Sequence, residues 1–488
     1  MELSGLNLEV TYTSLPDSFF TYVAPEPAPA PSLVVLNQKL ATTLGLDLSD
    51  VPDHDLANIL AGNSLPSGIS TFAQAYAGHQ FGHFTLLGDG RALLWGEQRT
   101  PSGDRVDIQF KGSGQTPYSR RGDGRASLGP MLREYIISEA MHALGIPTTR
   151  SLSVTRTGEK IERDGWEDGA VLVRIAASHI RVGTFEYAAA QGKDSVLNDL
   201  FLYTAKRHMP EVLDAENPAL AFLKTVSLRQ IALITHWMRV GFIHGVMNTD
   251  NMSISGETID YGPCAFMDTY DPNTVFSSID RFGRYAYGNQ PVIAQWNIAR
   301  FAETLLPLLA SSTSKAIALA EQCVEDFEQA FHESWLTMMR EKLGLSDEDP
   351  DDIPLISDLL NLMQKYSADY TNTFANLTYG DKRLPQALEG TPAFSRWLSQ
   401  WKTRRQSCEQ TPNAKAHSQD LMQASNPVII PRNHLVEDAL HHAESGDPSR
   451  FTALCSALAH PYAWTKGTEN FRQPPLPSER IYQTFCGT

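Results

Sequence analysis

The sequence has few cysteines and no long apolar run. Its cysteines, Cys264, Cys323, Cys408, Cys455 and Cys486, are odd in number and widely scattered, and no two form a Cys-x-x-Cys pair. That distribution is typical of a reducing compartment and predicts no zinc-type cysteine pair. No run of about 18 apolar residues occurs, so we expect no transmembrane helix. The N-terminus lacks the basic and apolar regions of a secretory signal, and a cytoplasmic protein is expected.

Positive charge is also scarce. Lys and Arg number 40 against 56 Asp and Glu, and the formal net charge is −16. A negative chain is poorly suited to bind nucleic acid or an anionic membrane, so neither partner is expected. The length of 488 residues and the apolar fraction of 42% are sufficient for a large core and two or more lobes. Because nothing in the sequence indicates an obligate assembly, we expect a monomer.

The hydrophobic pattern changes along the chain. A Pro/Ala-rich stretch at 24–32 lies in an N-terminal extension, and alternation then predicts a series of strands. These predicted strands cover residues 84–87, 92–96, 106–111, 151–155 and 170–175. Pro130 opens a predicted helix over 131–144, which Gly145 ends. This pattern predicts a small sheet with one helix against it.

Beyond about residue 180 helical periodicity predominates. The strongest helical segment covers residues 228–240 and ends at Gly241. A short hairpin is predicted around Gly256 and Glu257. The acidic stretch 346–352 is interpreted as a solvated loop, and the polar segment 406–427 as a mobile connection. The predicted fold class is α+β.

The densest group of chemically useful residues follows the predicted helix 228–240. Asp250 and Asn251 are followed, nine residues after Asn251, by Asp260 in an Asp-Tyr-Gly triplet. Kinase-type sites need a carboxylate beside the attacking hydroxyl, and an Asn and a second Asp that hold divalent metal. The usual order is broken, because Val246 occupies the place of the kinase catalytic Asp. Each residue alone could simply form a turn, but together they indicate a phosphate-transfer site with altered chemistry.

Two further groups are consistent with a nucleotide site. Lys111 ends a predicted strand and Glu134 lies in the next helix, as in kinases, where the carboxylate orients a phosphate-binding lysine. The loop 112–129 is rich in glycine and contains Arg120, Arg121 and Arg125, but no Gly-Lys-Ser/Thr sequence closes it as in a Walker A motif. A plain surface loop is the alternative.

Arginines and glycines elsewhere have the same ambiguity. Arg174 and Arg181 could grip a triphosphate bidentately or form surface ion pairs. The Gly88-Asp-Gly-Arg91 turn could contact a nucleotide or merely join two strands. His79 and His83 lie four residues apart without a nearby carboxylate, so hydrogen-bonding histidines are favoured over a zinc site.

Several long blocks resemble the selenoprotein O (SelO) family of protein adenylyltransferases, which have a pseudokinase fold. The matching blocks are Tyr-Ala-Gly-His-Gln-Phe-Gly-His at 76–83, Gln-Phe-Lys-Gly-Ser-Gly-Gln-Thr-Pro-Tyr-Ser-Arg-Arg-Gly-Asp-Gly at 109–124, Arg-Val-Gly-Thr-Phe at 181–185, His-Gly-Val-Met-Asn-Thr-Asp-Asn at 244–251 and Asp-Tyr-Gly-Pro at 260–263. They span about residues 76–263, and strings this long and unusual make the resemblance highly specific. The sequence is similar to the bacterial members of this family, which have cysteine in place of selenocysteine.

The resemblance implies transfer of AMP from ATP to a Ser, Thr or Tyr hydroxyl of a protein, with release of pyrophosphate. ATP would bind inverted relative to ordinary kinases. Asp250 would be the general base, Asn251 and Asp260 the ligands of Mg²⁺ or Mn²⁺, and Glu134 the partner that positions Lys111. The implied nucleotide contacts are Gly88, Gly90, Arg91, Lys111, Asp123, Gly124, Arg174, Arg181 and Asp260.

The same resemblance implies a protein-kinase-like, two-lobed α+β fold with terminal extensions. The expected division is an N-terminal extension at 1–75, a β-rich N-lobe with one key helix at 76–180, a helical C-lobe at 181–405 and a C-terminal extension at 406–488. Family members often carry a redox-active residue near the C-terminus. Cys486 fits that position, and a regulatory bridge to Cys264 is a hypothesis.

Two other functions stay open on the residues alone. An ordinary kinase-type phosphotransferase would use the same groups, because attack at the α- or the γ-phosphate needs the same in-line displacement. A catalytically silent nucleotide-binding pseudokinase is favoured by Val246 and disfavoured by Asp250, Asn251 and Asp260.

Overall fold

A computed structural model describes residues 3–66, 69–380, 387–465 and 467–485. The strands are β1 (Leu8–Glu9), β2 (Phe20–Tyr22), β3 (Ser32–Leu36), β4 (Phe72–Gln80), β5 (His83–Gly88), β6 (Ala92–Arg99), β7 (Arg105–Lys111), β8 (Ala126–Ser127), β9 (Arg150–Glu162), β10 (Trp166–Ala176), β11 (Phe242–Ile243) and β12 (Ala265–Phe266). The α-helices are α1 (Gln38–Thr43), α2 (Asp53–Leu60), α3 (Leu128–Ala143), α4 (Val182–Ala190), α5 (Asp194–His208), α6 (Pro218–Val240), α7 (Gln290–Leu309), α8 (Thr313–Leu343), α9 (Asp352–Lys365), α10 (Tyr370–Tyr379), α11 (Pro392–Cys408), α12 (Pro412–Ser425), α13 (Asn433–Glu444), α14 (Ser449–Leu458) and α15 (Glu469–Arg472). The α+β class is confirmed.

One large antiparallel sheet occupies the first part of the chain. Its central order is β2-β4-β6-β7-β10-β9-β3, with β1 paired to β6, β5 to β4 and β8 to β10. The two-residue strands β11 and β12 form a separate small sheet. All five strands predicted from alternation are present, each somewhat longer than expected.

The central strands β7 and β10 present different side chains to the two faces of the sheet. Ile108 and Phe110 of β7 pack in an apolar cluster with Val173 of β10. Because side chains alternate along a strand, Gln109 and Lys111 point to the opposite face. Arg174 of β10 lies directly across from Gln109. The alternation therefore sets polar and cationic groups side by side on one face.

The N-terminal extension covers the apolar face of this sheet. Leu40 of α1 and Leu56 and Ile59 of α2 are buried in the same cluster as Trp95 of β6. Within residues 76–180, all of which are described, α3 is the one helix, as the sequence pattern predicted; α1 and α2 belong to the N-terminal extension. The sequence contains these two short helices, but nothing local indicates that they pack on strands far along the chain.

Helix α3 packs on the other face and is held by the C-terminal helices. It begins at Leu128, before Pro130, and Gly145 follows its end with a left-handed φ of +72°. Arg133 of α3 donates Nη1 to Glu437 of α13 at 2.8 Å, and its Nη2 donates to the carbonyl of Cys264 at 2.6 Å. The C-terminal segment therefore fixes the helix that contains Glu134.

Helices predominate after residue 180, as expected. Helix α6 begins earlier than predicted, at Pro218, and ends at Gly241, whose φ of +74° favours glycine. None of the helices in the described ranges is both long and apolar enough to cross a membrane.

One loop prediction was wrong, and another holds except at one residue. The segment 406–427 contains the end of α11 and all of α12. The acidic stretch is a largely exposed loop over 346–351, as predicted, but Asp352 is fully buried and accepts from Arg340 at 2.9 Å and Arg404 at 2.8 Å. A run of acidic residues cannot show by itself which member pairs with distant arginines.

The hairpin predicted around Gly256 does not form. Ser253 instead bridges to Arg181, and Thr258 bridges in parallel to Thr148. These partners are distant in sequence and outcompete local pairing. The predicted segment boundaries after residues 75 and 405 fall inside β4 and α11. The four-part division stays a prediction.

Candidate active site

A cavity of about 870 Å³ collects most of the predicted site residues. Those that line it are Gly90, Arg91, Lys111, Asp123, Gly124, Arg174, Arg181, Asp250, Asn251 and Asp260. Gly88 and Glu134 do not line it. Gly88 ends β5 just before the cavity, and Glu134 lies behind Lys111, which separates it from the cavity. The predicted nucleotide, metal and base residues are therefore brought to one place.

Three buried cations converge on Asp260. Lys111 Nζ lies 2.6 Å from Glu134 Oε2 and 3.4 Å from Asp260 Oδ1. Arg174 Nη2 donates to Glu134 Oε1 at 2.6 Å and to Asp260 Oδ1 at 2.7 Å. Arg181 Nη1 donates to Asp260 Oδ2 at 2.7 Å. The strand lysine and helical glutamate thus pair as predicted, within a larger network.

This network determines the ionisation of Asp260. Burial alone would raise the pKa of its carboxyl, but Arg174, Arg181 and Lys111 outweigh that effect and hold the pKa well below its usual value. Asp260 also has a left-handed φ of +63°, a conformation that Asp tolerates better than most residues. The surrounding ion pairs hold an ionised carboxylate in a backbone conformation that few residues adopt.

Asp250 is in a different electrostatic environment. Its side chain is buried, Oδ1 has no hydrogen-bond partner, and Oδ2 accepts from Gln80 Nε2 at a long 3.3 Å. Burial raises the pKa of the Asp250 carboxyl to about 6, against the opposing effect of Arg181. A buried carboxylate with an unoccupied lone pair and a raised pKa is suited to accept a proton.

The residues that could hold a divalent metal fit that role. Asn251 donates Nδ2 to the carbonyl of Val246 at 2.9 Å, so its Oδ1 is the atom that could coordinate a cation. Asp260 supplies an ionised carboxylate on the same cavity wall. One carboxylate and one amide oxygen suit Mg²⁺ or Mn²⁺, which retain waters and phosphate oxygens as their other ligands. No cluster of three or more His, Cys, Asp or Glu side chains suited to a metal occurs in the described part of the chain.

The Gly88–Gly90 turn is covered by the glycine-rich loop. A Cβ on Gly88 would lie 2.4 Å from the ring of Tyr118, and one on Gly90 would lie 3.0 Å from the Tyr118 carbonyl. Between them, Asp89 is buried and accepts from the Gln74 amide at 3.1 Å, with Arg181 Nη2 3.9 Å away. Burial raises the pKa of Asp89 to about 6. Both glycines are required here for close packing.

The glycine-rich loop has its own ion pairs. Asp123 accepts from Arg163 Nη1 at 2.8 Å and Nη2 at 3.0 Å, and Gly124 has a φ of +67° with no room for a Cβ beside Gly114. Arg125 pairs with Glu159 at 2.9 Å. Arg120 and Arg121 are exposed. Of the three loop arginines, Arg125 is thus fixed by an ion pair, whereas Arg120 and Arg121 extend into solvent.

Polar contacts brace the loop that contains Asp250. His79 lies 2.6 Å from Glu186, Thr249 donates to the same carboxylate at 2.6 Å, and the His79 amide donates to Thr249 at 2.7 Å. His79 is thus a hydrogen-bonding residue, as predicted, and His83 is exposed. Asn248 accepts from the Phe81 amide and from the Tyr285 hydroxyl.

Several of these residues were missed from the sequence. Gln109 is two residues before Lys111, and strand alternation could have placed it on the same face. Asp89 lies between Gly88 and Gly90, which were predicted to contact the nucleotide. A polar residue is common in a tight turn, so nothing in the sequence marked Asp89 itself as a site residue. Arg163 and Glu186 are ordinary surface-type residues in the sequence, and only the fold brings them to the site.

The chain's last described residues lie against the segment that follows Asp260. Thr484 donates its amide to the Phe276 carbonyl at 2.7 Å, and Ser278 donates to the Thr484 carbonyl at 3.0 Å. Cys264 is buried. Cys486 lies outside the described residues, so the Cys264–Cys486 bridge stays a prediction.

Glu257, in the loop between Asn251 and Asp260, yields a stability prediction. It accepts from the Ala177 amide at 2.9 Å and from Ser255 at 3.1 Å, and burial raises its pKa from 4.5 to about 7. At pH values between these two pKa values, Glu257 binds fewer protons in the unfolded chain than in the folded one. The free energy of unfolding therefore falls as pH rises. Urea unfolding should show Glu257→Gln about 3 kcal/mol more stable than wild type near pH 8, with little difference near pH 4.5. An equal difference at both pH values would contradict this assignment.

Comparison with known proteins identifies the class of enzyme. Relatives named protein nucleotidyltransferase YdiU are 58% identical in Alkaliphilus metalliredigens, 55% in Nitrosococcus oceani and 57% in Clostridium botulinum. Each alignment covers 99% of this chain and 98% of the relative. The α+β chain with this polar cavity is therefore a nucleotidyltransferase, and its substrate is a nucleotide. A family model described as protein adenylyltransferase SelO matches residues 2–459, and the chain belongs to the SelO family.

Proposed function

We propose that this enzyme transfers AMP from ATP to a Ser, Thr or Tyr hydroxyl of a protein and releases pyrophosphate. The proposal rests mainly on the position and surroundings of Asp250. Its buried carboxylate, with Oδ1 unpaired, lies in the same cavity as Lys111, Arg174 and Arg181. A base and a set of phosphate-binding cations thus face one space. The family description and the relatives' name, protein nucleotidyltransferase, favour the same reaction.

The proposed fold is that of a two-lobed protein kinase. The large sheet with α3 corresponds to the small lobe, and the Lys111–Glu134 pair at 2.6 Å is the contact that active kinases need. The helical region from α4 onwards corresponds to the large lobe, where the Asp250 and Asp260 loops follow α6. The extensions at 1–75 and 406–488 add elements to both.

ATP is proposed to bind inverted, with its β- and γ-phosphates deepest in the cavity. Deep burial of anionic oxygens requires compensating charge. Arg174 is 1% exposed and Arg181 3% exposed, so both could bind phosphate oxygens away from water, beside Lys111. Both arginines would then be shared between their present partner, Asp260, and the phosphates of the nucleotide. The remaining proposed contacts are Gly88, Gly90, Arg91, Asp123 and Gly124.

Asp250 is proposed to act as the general base. Its carboxylate takes the proton of the acceptor hydroxyl while the hydroxyl oxygen attacks the α-phosphorus. A new bond then joins that oxygen to phosphorus, the bond from phosphorus to the α–β bridging oxygen breaks, and pyrophosphate leaves with the electron pair. Mg²⁺ or Mn²⁺ bound by Asn251 and Asp260 would neutralise charge on the phosphates. Arg174, Arg181 and Lys111 hold the leaving group in line.

Intact mass tests this proposal. The protein is incubated with ATP and Mg²⁺ or Mn²⁺, with and without a generic protein acceptor, and under reductant. Addition of the mass of AMP to either polypeptide is expected. Addition of phosphate alone would favour the kinase-type alternative. Absence of any adduct, with ATP still bound, would favour the silent binding protein that Val246 suggests.

Gly78 provides a test of Asp250 placement. A Cβ on Gly78 of β4 would lie 2.2 Å from Asp250 Oδ1 and 2.7 Å from its Cβ. Gly78→Ala should therefore displace the carboxylate and lower the rate of AMP transfer by about a hundredfold, with ATP affinity unchanged. Gly165→Ala is the matched control, because a Cβ there meets nothing within 4 Å. Equal rates in the two variants would show that Asp250 placement is not critical.

A further inference from the structure

Tyr76 lines the catalytic cavity but has no role in the proposed mechanism. It is a half-buried residue of β4 and pairs with Leu87 of β5. Because side chains alternate along a strand, Tyr76 shares a face of β4 with Gly78 and Gln80. Gln80 donates to the carboxylate of Asp250, and Gly78 packs closely against the same side chain. The face of β4 that meets the proposed base therefore also carries a phenol.

The Tyr76 ring packs against the guanidinium of Arg181. The Cζ atom of Arg181 lies 4.7 Å from the centre of the ring, within the range of a cation–π interaction. Nη1 of the buried Arg181 donates to the carbonyl of Asp250 at 2.8 Å and to Asp260 Oδ2 at 2.7 Å. The ring and these two acceptors hold the guanidinium in one orientation. Tyr76 thus lies beside a cation that is proposed to bind phosphate.

The hydroxyl of Tyr76 is a donor that the protein does not use. Within the described part of the chain no hydrogen bond reaches it, and the side chain faces the cavity. Two other tyrosines of the same region use their hydroxyls, because Tyr285 donates to Asn248 and Tyr287 donates to the Met238 carbonyl. A buried tyrosine hydroxyl usually has such a partner. The Tyr76 hydroxyl is therefore available to a ligand in the cavity.

Burial and charge keep the proton on this hydroxyl. Burial raises the pKa of Tyr76 well above its usual value, against the opposing effect of Arg181, and the carboxylates of Asp89, Asp260 and Asp250 raise it further. The hydroxyl is therefore a donor, and its strongest acceptors are anionic oxygens.

The inner end of the cavity lies next to Tyr76. Asp89, Gln109 and Arg174 line this end, and all three are buried. Gln109 Nε2 lies 3.4 Å from Asp89 Oδ2, and Arg174 Nη1 lies 3.4 Å from Gln109 Oε1. Arg181 Nη2 lies 3.9 Å from Asp89 Oδ1. Arg181, with the Tyr76 ring against it, therefore belongs to the inner end of the cavity.

We propose that the Tyr76 hydroxyl donates a hydrogen bond to an oxygen of the β- or γ-phosphate of the bound nucleotide. This inference rests on the proposed function, in which those phosphates lie deepest in the cavity, beside Arg174 and Arg181. The hydroxyl keeps its proton throughout and binds first the triphosphate and then the leaving pyrophosphate. Negative charge grows on the leaving group during transfer, so the hydrogen bond strengthens in the transition state.

Binding of phosphate compounds to Tyr76→Phe tests the proposal. The phenylalanine ring keeps the contact with Arg181, and only the hydroxyl is removed. Isothermal titration calorimetry with Mg²⁺ measures the affinity of the full chain for inorganic pyrophosphate, a non-hydrolysable ATP analogue and AMP. Tyr76→Phe should bind pyrophosphate and the analogue about tenfold more weakly than wild type, the effect of one hydrogen bond to a charged group. AMP lacks the β- and γ-phosphates, so its affinity should be unchanged.

Tyr366→Phe is the matched control. Tyr366 is also half-buried and has a cation over its ring, Lys365 at 5.4 Å, but it does not line the cavity. Its substitution should leave the affinities for all three compounds at the wild-type values. Equal pyrophosphate affinity in Tyr76→Phe and wild type overturns the proposal. A loss of AMP affinity as large as the loss of pyrophosphate affinity also overturns it.

AMP transfer is measured on the same proteins. At saturating ATP, Tyr76→Phe should transfer AMP about tenfold more slowly than wild type, because the lost hydrogen bond is strongest in the transition state. Weaker pyrophosphate binding by Tyr76→Phe, without AMP transfer by wild type, supports the phosphate contact and contradicts the proposed function. Unchanged pyrophosphate binding, with AMP transfer by wild type, contradicts the contact and supports the function.

Discussion

Asp250→Ala is expected to lower the rate of AMP transfer by about a thousandfold, the effect of removing a general base. Nucleotide affinity should change little, because the Asp250 carboxylate receives only a long hydrogen bond from Gln80 and pairs with none of the three cations that converge on Asp260. Single-turnover kinetics with saturating ATP separates the two effects. The loss should therefore appear in the chemical step and not in ATP binding.

Asp250→Asn refines this test. The amide has the size of the carboxylate and can keep the contact with Gln80, but it cannot take a proton. Its rate should fall as far as that of the alanine variant. If Asp250→Asn kept most of the wild-type rate, Asp250 would act by positioning the acceptor, and the base would have to be another group. Asp358→Asn serves as control, since Asp358 is exposed on α9 and does not line the cavity.

Asp260→Asn is expected to have the second largest effect, on stability as well as activity. The substitution leaves Lys111, Arg174 and Arg181 buried together, with Glu134 beside the first two and Asp89 3.9 Å from Arg181 as counter-charges. Removal of one partner from a buried ion network typically costs about 3–5 kcal/mol. Asparagine tolerates a left-handed conformation such as the φ of +63° at this position, so the loss would report charge and not backbone strain.

Denaturant unfolding without nucleotide measures this effect. The free energy of unfolding should fall by about 3 kcal/mol in Asp260→Asn. Asp358→Asn, an exposed aspartate on α9, should be within about 0.5 kcal/mol of wild type. AMP transfer should also be lost, because the proposed metal ligand is removed. A variant as stable as wild type would mean that the three cations are not held by Asp260.

Much of the site was predictable because its chemistry is local in sequence. Strand alternation places Lys111 on the polar face of β7, and Asp250, Asn251 and Asp260 lie within one short loop region. The residues that converge on Asp260 come from β7, β10 and the start of α4. Their convergence followed only from the resemblance to the SelO family.

Other features could not be predicted, because they depend on partners distant in the chain. The prediction of a hairpin around Gly256 was wrong because Ser253 pairs with Arg181 and Thr258 pairs with Thr148. The burial of Asp352 depends on Arg340 and Arg404, which come from different helices. No local periodicity specifies such pairs.

The most direct test of the central claim uses ATP labelled at either the α- or the γ-phosphate. The wild-type protein is incubated with a protein acceptor, divalent metal and each labelled ATP in turn, and Asp250→Ala is run in parallel. The account predicts that the acceptor or the enzyme gains label only from α-labelled ATP, that pyrophosphate is released, and that Asp250→Ala gains none. Label from γ-labelled ATP on the polypeptide would contradict it and make the protein a kinase.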